Sequence, residues 1–450
     1  MGSVRGARVS WRDVVVPVAF VMLLFSGYVK ATPLFSWVPV DLAKLGAFFL
    51  AGCAFVVWLR RPEWVPRGAA LVLTLWLTFV PATLLAPHTS YAQAKIFGIW
   101  VYTLIAVLTP MFLLTTPTRR MLTAAGTFLA GAVIVGSALL ALDPAQEGRL
   151  AAVGSSTLAS GRGAGAAAMV CAAIALLRTG WLRWTAFAVA AGFGAATVAT
   201  GSRGPVLGIL LGVLVLLVFT ASRARTGIYR CAAVVGAGAA AWIALQFVPI
   251  HSVQRIVQTG GGGMDWSSEA RLRLLEAGAR IAAHHPEGVG WGGLVNHLQP
   301  LEVLTKNGWA QYPHNVFVEI LVEAGWVAGL VFLVFTGLSL ALLARHARRL
   351  DGGIWLGLAV FFLVNAMVSG DLNGNRPALV ALAVAWTFET RPDRPVRAFF
   401  GRIGRIGRLG RLRSRRQHAG EVAQQRGLGP GTDDHVDQLA TPVDLHRRDA

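Results

Sequence analysis

Residues 312–315 read Tyr-Pro-His-Asn and lead directly into a long apolar run that begins Val-Phe-Val-Glu. His314 therefore stands where a polar segment returns to an apolar one, so its imidazole is expected at a membrane boundary, beside the start of a helix. Gly325 follows eleven residues later, about three helical turns along the same face. A residue without a side chain there would let a neighbouring helix pack closely. The rest of the chain is expected to be arranged around this stretch.

The composition indicates an integral membrane protein. Of the 450 residues, 55% are hydrophobic and 14% are charged, whereas soluble domains carry about 25% charged residues. Apolar runs long enough to cross a hydrocarbon core of about 30 Å recur along most of the chain. The sequence therefore predicts an all-α, polytopic transmembrane helix bundle of about twelve spans. These spans are expected near 14–29, 42–59, 68–86, 96–115, 121–142, 164–178, 182–200, 204–220, 231–249, 316–343, 353–369 and 377–389.

The distribution of arginine predicts the orientation of the bundle. A formal charge of +19 would suggest nucleic acid as the partner of a soluble chain, but here the arginines gather in alternate loops, as the positive-inside rule requires. Both termini are expected in the cytoplasm, with 1–13 as the N-terminal segment and 250–313 as a long extracytoplasmic loop between spans nine and ten. Residues 14–390 then form the transmembrane domain. Residues 391–450 are expected to be a disordered basic tail on the anionic inner leaflet, with no nucleic-acid partner.

Arginines that fall in predicted outer loops against this trend are candidate ligand contacts. Outside the long loop they are Arg149, Arg162, Arg203 and Arg376. Arg203 belongs to the sequence Thr-Gly-Ser-Arg-Gly-Pro at 200–205, which opens a predicted span. Because a helix N-terminus already carries partial positive charge, an arginine there is unfavourable unless an anion is shared between them. The alternative is an arginine that extends to lipid phosphates. The small residues at 160–166 are expected to pack against a helix rather than to bind phosphate.

The predicted outer loop contains an amphipathic helix. Its apolar stripe consists of Leu274, Leu275, Gly278 and Ile281, with Ser267 or Ser268 as the expected cap. Arg271, Arg273 and Arg280 on this helix are either a solvated face or ligand contacts. The His-His pair at 284–285 has no matching cysteine or acidic cluster, so we expect no metal site. The sequence Gly-Val-Gly-Trp-Gly-Gly at 288–293 places Trp291 beside bare backbone, which suits contact with a sugar as well as a tight turn.

Two carboxylates fall inside the predicted tenth span. Glu319 and Glu323 are four residues apart, on one helical face. Carboxylates near lipid are costly and usually face a wet cavity or a partner, so we expect them to pair with an outer arginine. A general acid-base pair is the alternative. The last outer loop, with Asp371, Asn373, Asn375 and Arg376, is expected to be a polar cap that contributes substrate contacts.

Three pieces of the chain resemble the O-antigen ligase and O-antigen polymerase family of bacterial envelope proteins, over roughly 190–343. They are Gly-Ser-Arg-Gly at 201–204; Arg-Leu at 271–272 with His-Pro at 285–286 and Gly-Val-Gly-Trp-Gly at 288–292; and Pro-His-Asn at 313–315 with Gly325. The ligases carry His, then Asn, Ser or Gln, nine residues, Gly, two residues, and Gly, Thr or Tyr. This chain keeps the spacing through Gly325 but has Ala328 at the last place and Gly329 next. That departure leaves ligase and polymerase both open.

The resemblance implies an inverting, metal-independent glycosyltransferase without a cofactor, acting on the outer face of the inner (cytoplasmic) membrane in cell-surface polysaccharide biosynthesis. It would transfer glycan from an undecaprenyl-pyrophosphate donor to a hydroxyl of a glycan or lipid acceptor, among membrane lipids. Arg203 and Arg271 are candidates to hold the diphosphate, because guanidinium groups bind developing phosphate charge in a bidentate manner. His314 is the candidate base, since a neutral imidazole can take the acceptor proton near pH 7; a helix cap is its alternative role. Further candidate substrate contacts are Arg273, Arg280, Trp291, Asn315, Glu319 and Arg376.

A different class of protein has a similar composition. A polytopic transporter or lipid flippase would also show many spans, broken helices and intramembrane glutamates. Such a protein tends to place its ionisable residues near the bilayer midplane and to contain internal repeats. Here the ionisable residues gather at one predicted face and the sequence shows no repeat. The pattern therefore favours an enzyme.

Overall fold

A computed structural model of the chain describes residues 10–30, 37–62, 64–146, 149–221, 224–245, 266–299 and 312–389. Across these ranges the fold is all α, and the one β contact among them is an isolated antiparallel bridge between Leu142 and Ala152. The predicted basic tail, most of the N-terminal segment, and the parts of the predicted outer loop at 250–265 and 300–311 lie outside the described residues.

Fifteen α-helices make up the described part of the chain. They are α1 (Trp11–Lys30), α2 (Leu42–Arg60), α3 (Arg67–Thr78), α4 (Val80–Leu84), α5 (Ser90–Phe97), α6 (Leu104–Leu113), α7 (Pro117–Leu140), α8 (Thr157–Leu177), α9 (Trp181–Ala199), α10 (Arg203–Thr220), α11 (Ala224–Leu245), α12 (Trp266–His284), α13 (Val316–Arg345), α14 (Leu350–Val368) and α15 (Arg376–Val384). A π-helical segment, Gly98–Thr103, joins α5 to α6, and short 3-10 helices follow at Pro144–Gln146, Leu294–His297 and Ala385–Phe388.

Each of the twelve predicted spans coincides with helix over most of its described residues. Within the described ranges, nine helical segments are long and apolar enough to cross a bilayer, and Asp13–Val29 and Arg376–Phe388 are shorter apolar helices. The predicted all-α membrane bundle is therefore confirmed, while the number of spans and their orientation stay predictions. The amphipathic helix expected in the outer loop is α12, although Ser267 and Ser268 lie inside it instead of capping it.

The span predicted at 164–178 corresponds to a helix that begins earlier in the chain. Helix α8 starts at Thr157, where the Ser156 side chain accepts a hydrogen bond from the Ala159 backbone N–H. The glycine-rich residues 160–166 are consequently inside the helix. A methyl group built on Gly161 would lie 3.0 Å from the Pro205 ring of α10, so this segment packs against its neighbours, as expected.

Helices α8 and α14 form the centre of the bundle, since most of each is buried, whereas α2 and α9 lie at the periphery. Helix α10 packs closely on α14 through three glycines spaced four residues apart, at 204, 208 and 212. A methyl group built on Gly208 would lie 3.0 Å from the Phe361 carbonyl oxygen. The backbones of α10 and α14 therefore approach each other in a way that larger residues would prevent.

The bundle has two chemically different ends. At one end, Arg120 is buried and donates hydrogen bonds from Nε and Nη2 to Oδ2 of Asp351, at 3.0 and 2.8 Å. This carboxylate and the carbonyl oxygens of Leu114 and Thr115 satisfy the guanidinium inside the protein. At the other end lie the N-terminal residues of α10 and α13 and the C-terminal residues of α14.

Helix α13 is broken at Gly325. This residue has φ 87° and ψ 174°, so the helix is interrupted after three turns instead of running continuously as the sequence predicted. The loop at 286–292 closes the break: the Val289 and Gly290 N–H groups donate to the carbonyls of Val322 and Glu323, at 2.9 and 3.0 Å. The predicted close approach at Gly325 does occur, but it is made by this loop and not by a neighbouring helix.

Candidate active site

A cavity of about 500 Å³ opens at the end of the bundle that holds the start of α13. Four segments line it: the turn between α9 and α10, the first half of α12, the residues just before α13, and the end of α14. A fifth contribution comes from the start of α8 and the loop before it. The polar side chains on its walls are Arg149, Thr157, Ser202, Arg203, Arg271, His314, Asn315 and Ser369. The three residues predicted to perform the chemistry, Arg203, Arg271 and His314, are all among them.

The turn before α10 presents Arg203 to the cavity. Gly201 has φ 66°, which glycine adopts readily, and it reverses the chain between α9 and α10. The Ser202 N–H then donates to Oγ1 of Thr200 at 3.2 Å. Arg203 is the first residue of α10, so its guanidinium and the free N–H groups of the helix N-terminus share one region. This combination favours an anion.

Helix α12 presents Arg271 to the cavity. Its apolar stripe is buried, with Leu274 and Ile281 at 3% and 2% exposure, and Gly278 lies directly against Val318 of α13. Arg271 lies on the same side of α12 as this stripe, one turn before Leu275, which also lines the cavity. The packing of the stripe therefore brings the first turns of α12, with Arg271, to the cavity wall.

His314 has an unusual backbone conformation. Its φ is 56°, in the left-handed region that costs a non-glycine residue about 1–2 kcal/mol. Asn315 follows as the N-cap of α13, with Oδ1 accepting hydrogen bonds from the N–H groups of Phe317 and Val318 at 3.0 and 3.3 Å. The alternative role of His314 as a helix cap is therefore wrong, because Asn315 performs it. Backbone strain of this kind is concentrated at functional sites.

The surroundings of the His314 ring keep it neutral. The ring packs edge-on against Tyr312, with centroids 4.6 Å apart, and Nδ1 is buried with no hydrogen-bond partner among the described residues. Burial, and secondarily the positive charge of Arg271, lower the pKa of His314 to about 4, although Asp371 opposes the shift. A neutral imidazole with an unpartnered nitrogen beside a cavity can accept a proton.

The two glutamates of α13 form a buried ion cluster instead of pairing with an outer arginine, so that expectation is wrong. Lys95 of α5 lies between them, with Nζ 2.6 Å from Oε1 of Glu319 and 2.6 Å from Oε2 of Glu323. All three side chains are at most 1% exposed. The lysine meets both carboxylates because they occupy one face of α13, as their spacing of four residues predicts.

The remaining candidate substrate contacts lie outside the cavity lining. Arg273 is paired with Glu269 one turn earlier on α12. The Trp291 ring is fully buried, edge-on to Phe79, so contact with a sugar would require it to leave this packing. Arg376 donates from Nε to the Asn373 carbonyl oxygen at 2.6 Å. Arg280 is on α12, beyond the cavity, and Glu319 belongs to the buried cluster; their roles stay predictions.

The sequence did not predict two residues that belong to the cavity or to the ion cluster beside it. Lys95 received no role, although a single lysine beside an apolar run is a signal when two intramembrane glutamates need a partner. Ser369 received none either, because its place in the cavity lining follows from the packing of α14 on α10. Arg149 was noticed only as an arginine against the charge trend; the loop that carries it is held by a hydrogen bond from the Leu150 N–H to the Ala199 carbonyl, at 2.9 Å.

The charges around the cavity favour a polyanion. Three of the described lining residues are arginines, and none of the described lining residues is acidic. The other walls are apolar and include Leu207, Leu272, Leu275, Met367 and Val368. No group of three or more histidine, cysteine or acidic side chains with a metal-binding arrangement occurs in the portion of the chain that the structure describes. The cavity can therefore hold an anionic group that carries an apolar chain, next to a base.

Comparison with known proteins bears on the central segment of the chain. A search of curated proteins found no match. A family model described as O-Antigen ligase matches residues 186–333, about a third of the chain, and this segment contains Arg203, Arg271 and His314 but neither Arg149 nor Ser369. The resemblance inferred from the sequence motifs is thereby confirmed: this multi-pass membrane protein contains a segment, residues 186–333, that matches the O-antigen ligase family.

Proposed function

We propose that the protein transfers a glycan from an undecaprenyl-pyrophosphate donor to an acceptor hydroxyl, with His314 as the base and Arg203 and Arg271 as ligands of the diphosphate. The observation that carries the proposal is that these residues, far apart in sequence, line one cavity together with a third arginine, Arg149. The cavity end of the bundle would face the outer side of the cytoplasmic membrane, with both termini in the cytoplasm.

The cavity has cationic walls and apolar walls, and together they suit a lipid diphosphate. The guanidinium groups can hold the phosphate oxygens, and the apolar residues from α10, α12 and α14 can cover the first part of an isoprenoid chain. A diester of diphosphate carries two negative charges, and the free lipid diphosphate that leaves carries up to three. Arg149 supplies the third cation for the charge that develops as the sugar-phosphate bond breaks.

The proposed step breaks two bonds and forms two. The acceptor O–H bond gives its proton to a ring nitrogen of His314, and the acceptor oxygen forms a bond with the anomeric carbon. The bond between that carbon and the phosphate oxygen breaks, and its electron pair leaves with the lipid diphosphate. Attack opposite to the leaving group inverts the anomeric configuration. Within this scheme neither the arginines nor the histidine requires a metal ion or a cofactor.

The decisive experiment separates the base from the diphosphate ligands. His314→Ala should still bind a lipid-pyrophosphate donor while transfer falls by about 10² to 10⁴, because a base acts mainly in the transition state. Arg203→Ala and Arg271→Ala should weaken donor binding as well as transfer. Lysine at either place should restore activity only partly, since an ammonium lacks the planar fork of guanidinium. Arg183→Ala, which removes an arginine from the start of α9 at the opposite end, is the charge-matched control.

The measurements use purified variants of equal folded yield in lipid nanodiscs, with one assay for donor binding and one for glycan transfer. Transfer at the parental rate by His314→Ala would show that the proton goes elsewhere. Equal losses in Arg183→Ala and Arg203→Ala would show that the arginines act only through net charge.

The choice between ligase and polymerase rests on the product. We favour a ligase, which transfers a finished chain, over a polymerase, which extends one repeat unit at a time. A strain without the gene should accumulate long glycan chains on the lipid carrier if the protein is a ligase. Accumulation of single repeat units would identify a polymerase, and an unchanged pool of lipid-linked glycan would favour a transporter.

A further inference from the structure

The ion cluster of Lys95, Glu319 and Glu323 lies outside the cavity and has no part in the proposed step. Its ammonium is within 2.6 Å of both carboxylates, and none of the three side chains has significant contact with solvent. Desolvating three charges is expensive, and apolar residues of similar size commonly give equal or greater stability. Helix packing alone therefore does not account for the cluster.

Each member of the cluster also holds a loop. Oε2 of Glu319 accepts a hydrogen bond from the Leu372 N–H at 2.8 Å, and Oε2 of Glu323 accepts one from the Gly292 N–H at 3.0 Å. The Lys95 carbonyl oxygen accepts a third, from Nδ2 of Asn373, at 3.0 Å. The cluster thus joins α5 and α13 to the loop before α15 and to the loop after α12.

Three of these segments continue directly into walls of the cavity. The Glu319 N–H donates to the Asn315 carbonyl at 2.9 Å, so Glu319 belongs to the first turn after His314. Gly292 ends the loop that follows α12, the helix of Arg271. Leu372 comes three residues after Ser369. Contacts made at the cluster therefore limit how far the walls can move relative to one another.

We propose that Lys95, Glu319 and Glu323 are positioning residues, which hold the start of α13 and the loop after α12 in the one arrangement that places His314 beside Arg271. The inference deepens the proposed function of the cavity. Its test needs no glycan donor. The positioning role can therefore be refuted while the proposed transfer is supported, and the transfer can be refuted while the positioning role is supported.

The reporter is the pKa of His314, which depends on the position of Arg271. Burial and the Arg271 charge lower this pKa, and Asp371 raises it. Arg149 and Arg203 line the same cavity, and Tyr312 packs on the ring. If the loop after α12 is released, Arg271 moves away and water enters, so the pKa of His314 should rise.

The probe is diethyl pyrocarbonate, which reacts with neutral imidazole. Its rate of modification of His314 is measured by peptide mass spectrometry across the acidic pH range, on full-length protein in nanodiscs. Glu323→Ala removes the acceptor for the Gly292 N–H yet leaves Lys95 paired with Glu319, so no buried charge loses its partner. We expect the midpoint of the His314 profile to rise by about one pH unit.

The direction of the change in the His314 pKa distinguishes a movement of Arg271 from a direct effect of the lost carboxylate charge. Loss of a carboxylate acts directly on a nearby imidazole by lowering its pKa, which is opposite to the expected change. Glu323→Gln keeps an acceptor at the same reach and should stay close to the parental profile. Asp351→Asn alters the buried pair at the opposite end of the bundle; it should reduce folded yield without moving the profile.

A second variant makes the result independent of the folding of the first. Glu319→Ala removes the acceptor for the Leu372 N–H and leaves Lys95 paired with Glu323. Because the neighbouring Asp371 raises the His314 pKa, the quantity compared here is the modification rate at neutral pH, which should rise as the buried ring becomes accessible. The proposal is overturned if Glu323→Ala keeps the parental midpoint or lowers it, or if Glu319→Ala keeps the parental rate at neutral pH. It is also overturned if Asp351→Asn raises the midpoint as much as Glu323→Ala does.

Discussion

Replacing Gly325 with alanine is expected to separate the broken helix α13 from the loop at 286–292. The backbone at Gly325 has φ 87° and ψ 174°, a conformation that is essentially restricted to glycine and costs other residues about 1–3 kcal/mol. The new methyl group would lie 2.6 Å from the carbonyl oxygen of Glu287 and 2.7 Å from that of Pro286. Both atoms belong to the backbone, so no change of rotamer relieves the contact and the loop has to move.

Movement of the loop breaks the hydrogen bonds that close the helix break. Besides the bonds from Val289 and Gly290, the Trp326 N–H donates to the Pro286 carbonyl at 2.9 Å. Three such bonds at about 1 kcal/mol each, added to the backbone cost of about 1–3 kcal/mol, give a loss of roughly 4–6 kcal/mol. This is a large part of the about 5–15 kcal/mol that stabilises a typical folded protein.

The matched control is Gly337→Ala in the same helix. Gly337 has no atom within 4 Å of the position of a new methyl group, and alanine in a helix interior is favoured over glycine by up to about 1 kcal/mol. Thermal unfolding of purified variants in nanodiscs, followed by tryptophan fluorescence, should show Gly325→Ala melting far below the parent and Gly337→Ala at or above it. If the two variants melt together, the hydrogen-bonded loop does not stabilise the break and the reasoning fails.

Four further predictions concern the site and the topology. The kcat/KM for transfer should stay level from neutral pH down to about 5 and fall near the His314 pKa of about 4, because the base works in its neutral form; Arg271→Gln should move the fall toward 6.5, since it removes a cation that lowers this pKa. A parental profile that already falls at 6.5 would contradict the buried environment. Chelators should not abolish transfer; inactivation that one divalent ion reverses would make His284 and His285 candidate ligands. Truncation after Arg391 should leave transfer largely intact, and complete loss in a well-inserted variant would show that the tail has a function. A cysteine at position 314 should be labelled from the outside of the cell, and labelling only from the cytoplasm would refute the proposed site.

The sequence predicts the helices well because most of them are apolar runs with polar ends. The same rule fails at Lys95. Hydropathy predicts that the membrane span begins at residue 96, after the lysine, but the helix begins at Ser90. The lysine can enter the helix because two carboxylates from α13 neutralise it, and such a partner is visible only in the folded protein. The π-helical segment at Gly98–Thr103 is likewise a feature that apolar periodicity does not specify.

The site was predictable where a local motif specifies it. Arg203 and His314 each stand next to a helix start, and sequence spacing locates helix starts. Trp291 and the break at Gly325 could not be interpreted in this way. The sequence is equally compatible with a tryptophan that contacts a sugar and with one that is buried. The helix break depends on hydrogen bonds from a loop, and the apolar pattern of α13 does not reveal them.

The glycines at 204, 208 and 212 have a consequence for the size of substrate that the protein accepts. They let α10 approach α14 until backbone meets backbone, and Arg203 and Ser369, at the ends of these two helices, both line the cavity. The separation of the helices therefore sets the distance between two parts of the cavity wall. A single added methyl at 208, about 7.5 Å of helix away from Arg203, would move these two parts of the wall apart without contacting either residue. Substrate selectivity could therefore change through residues that no ligand ever contacts.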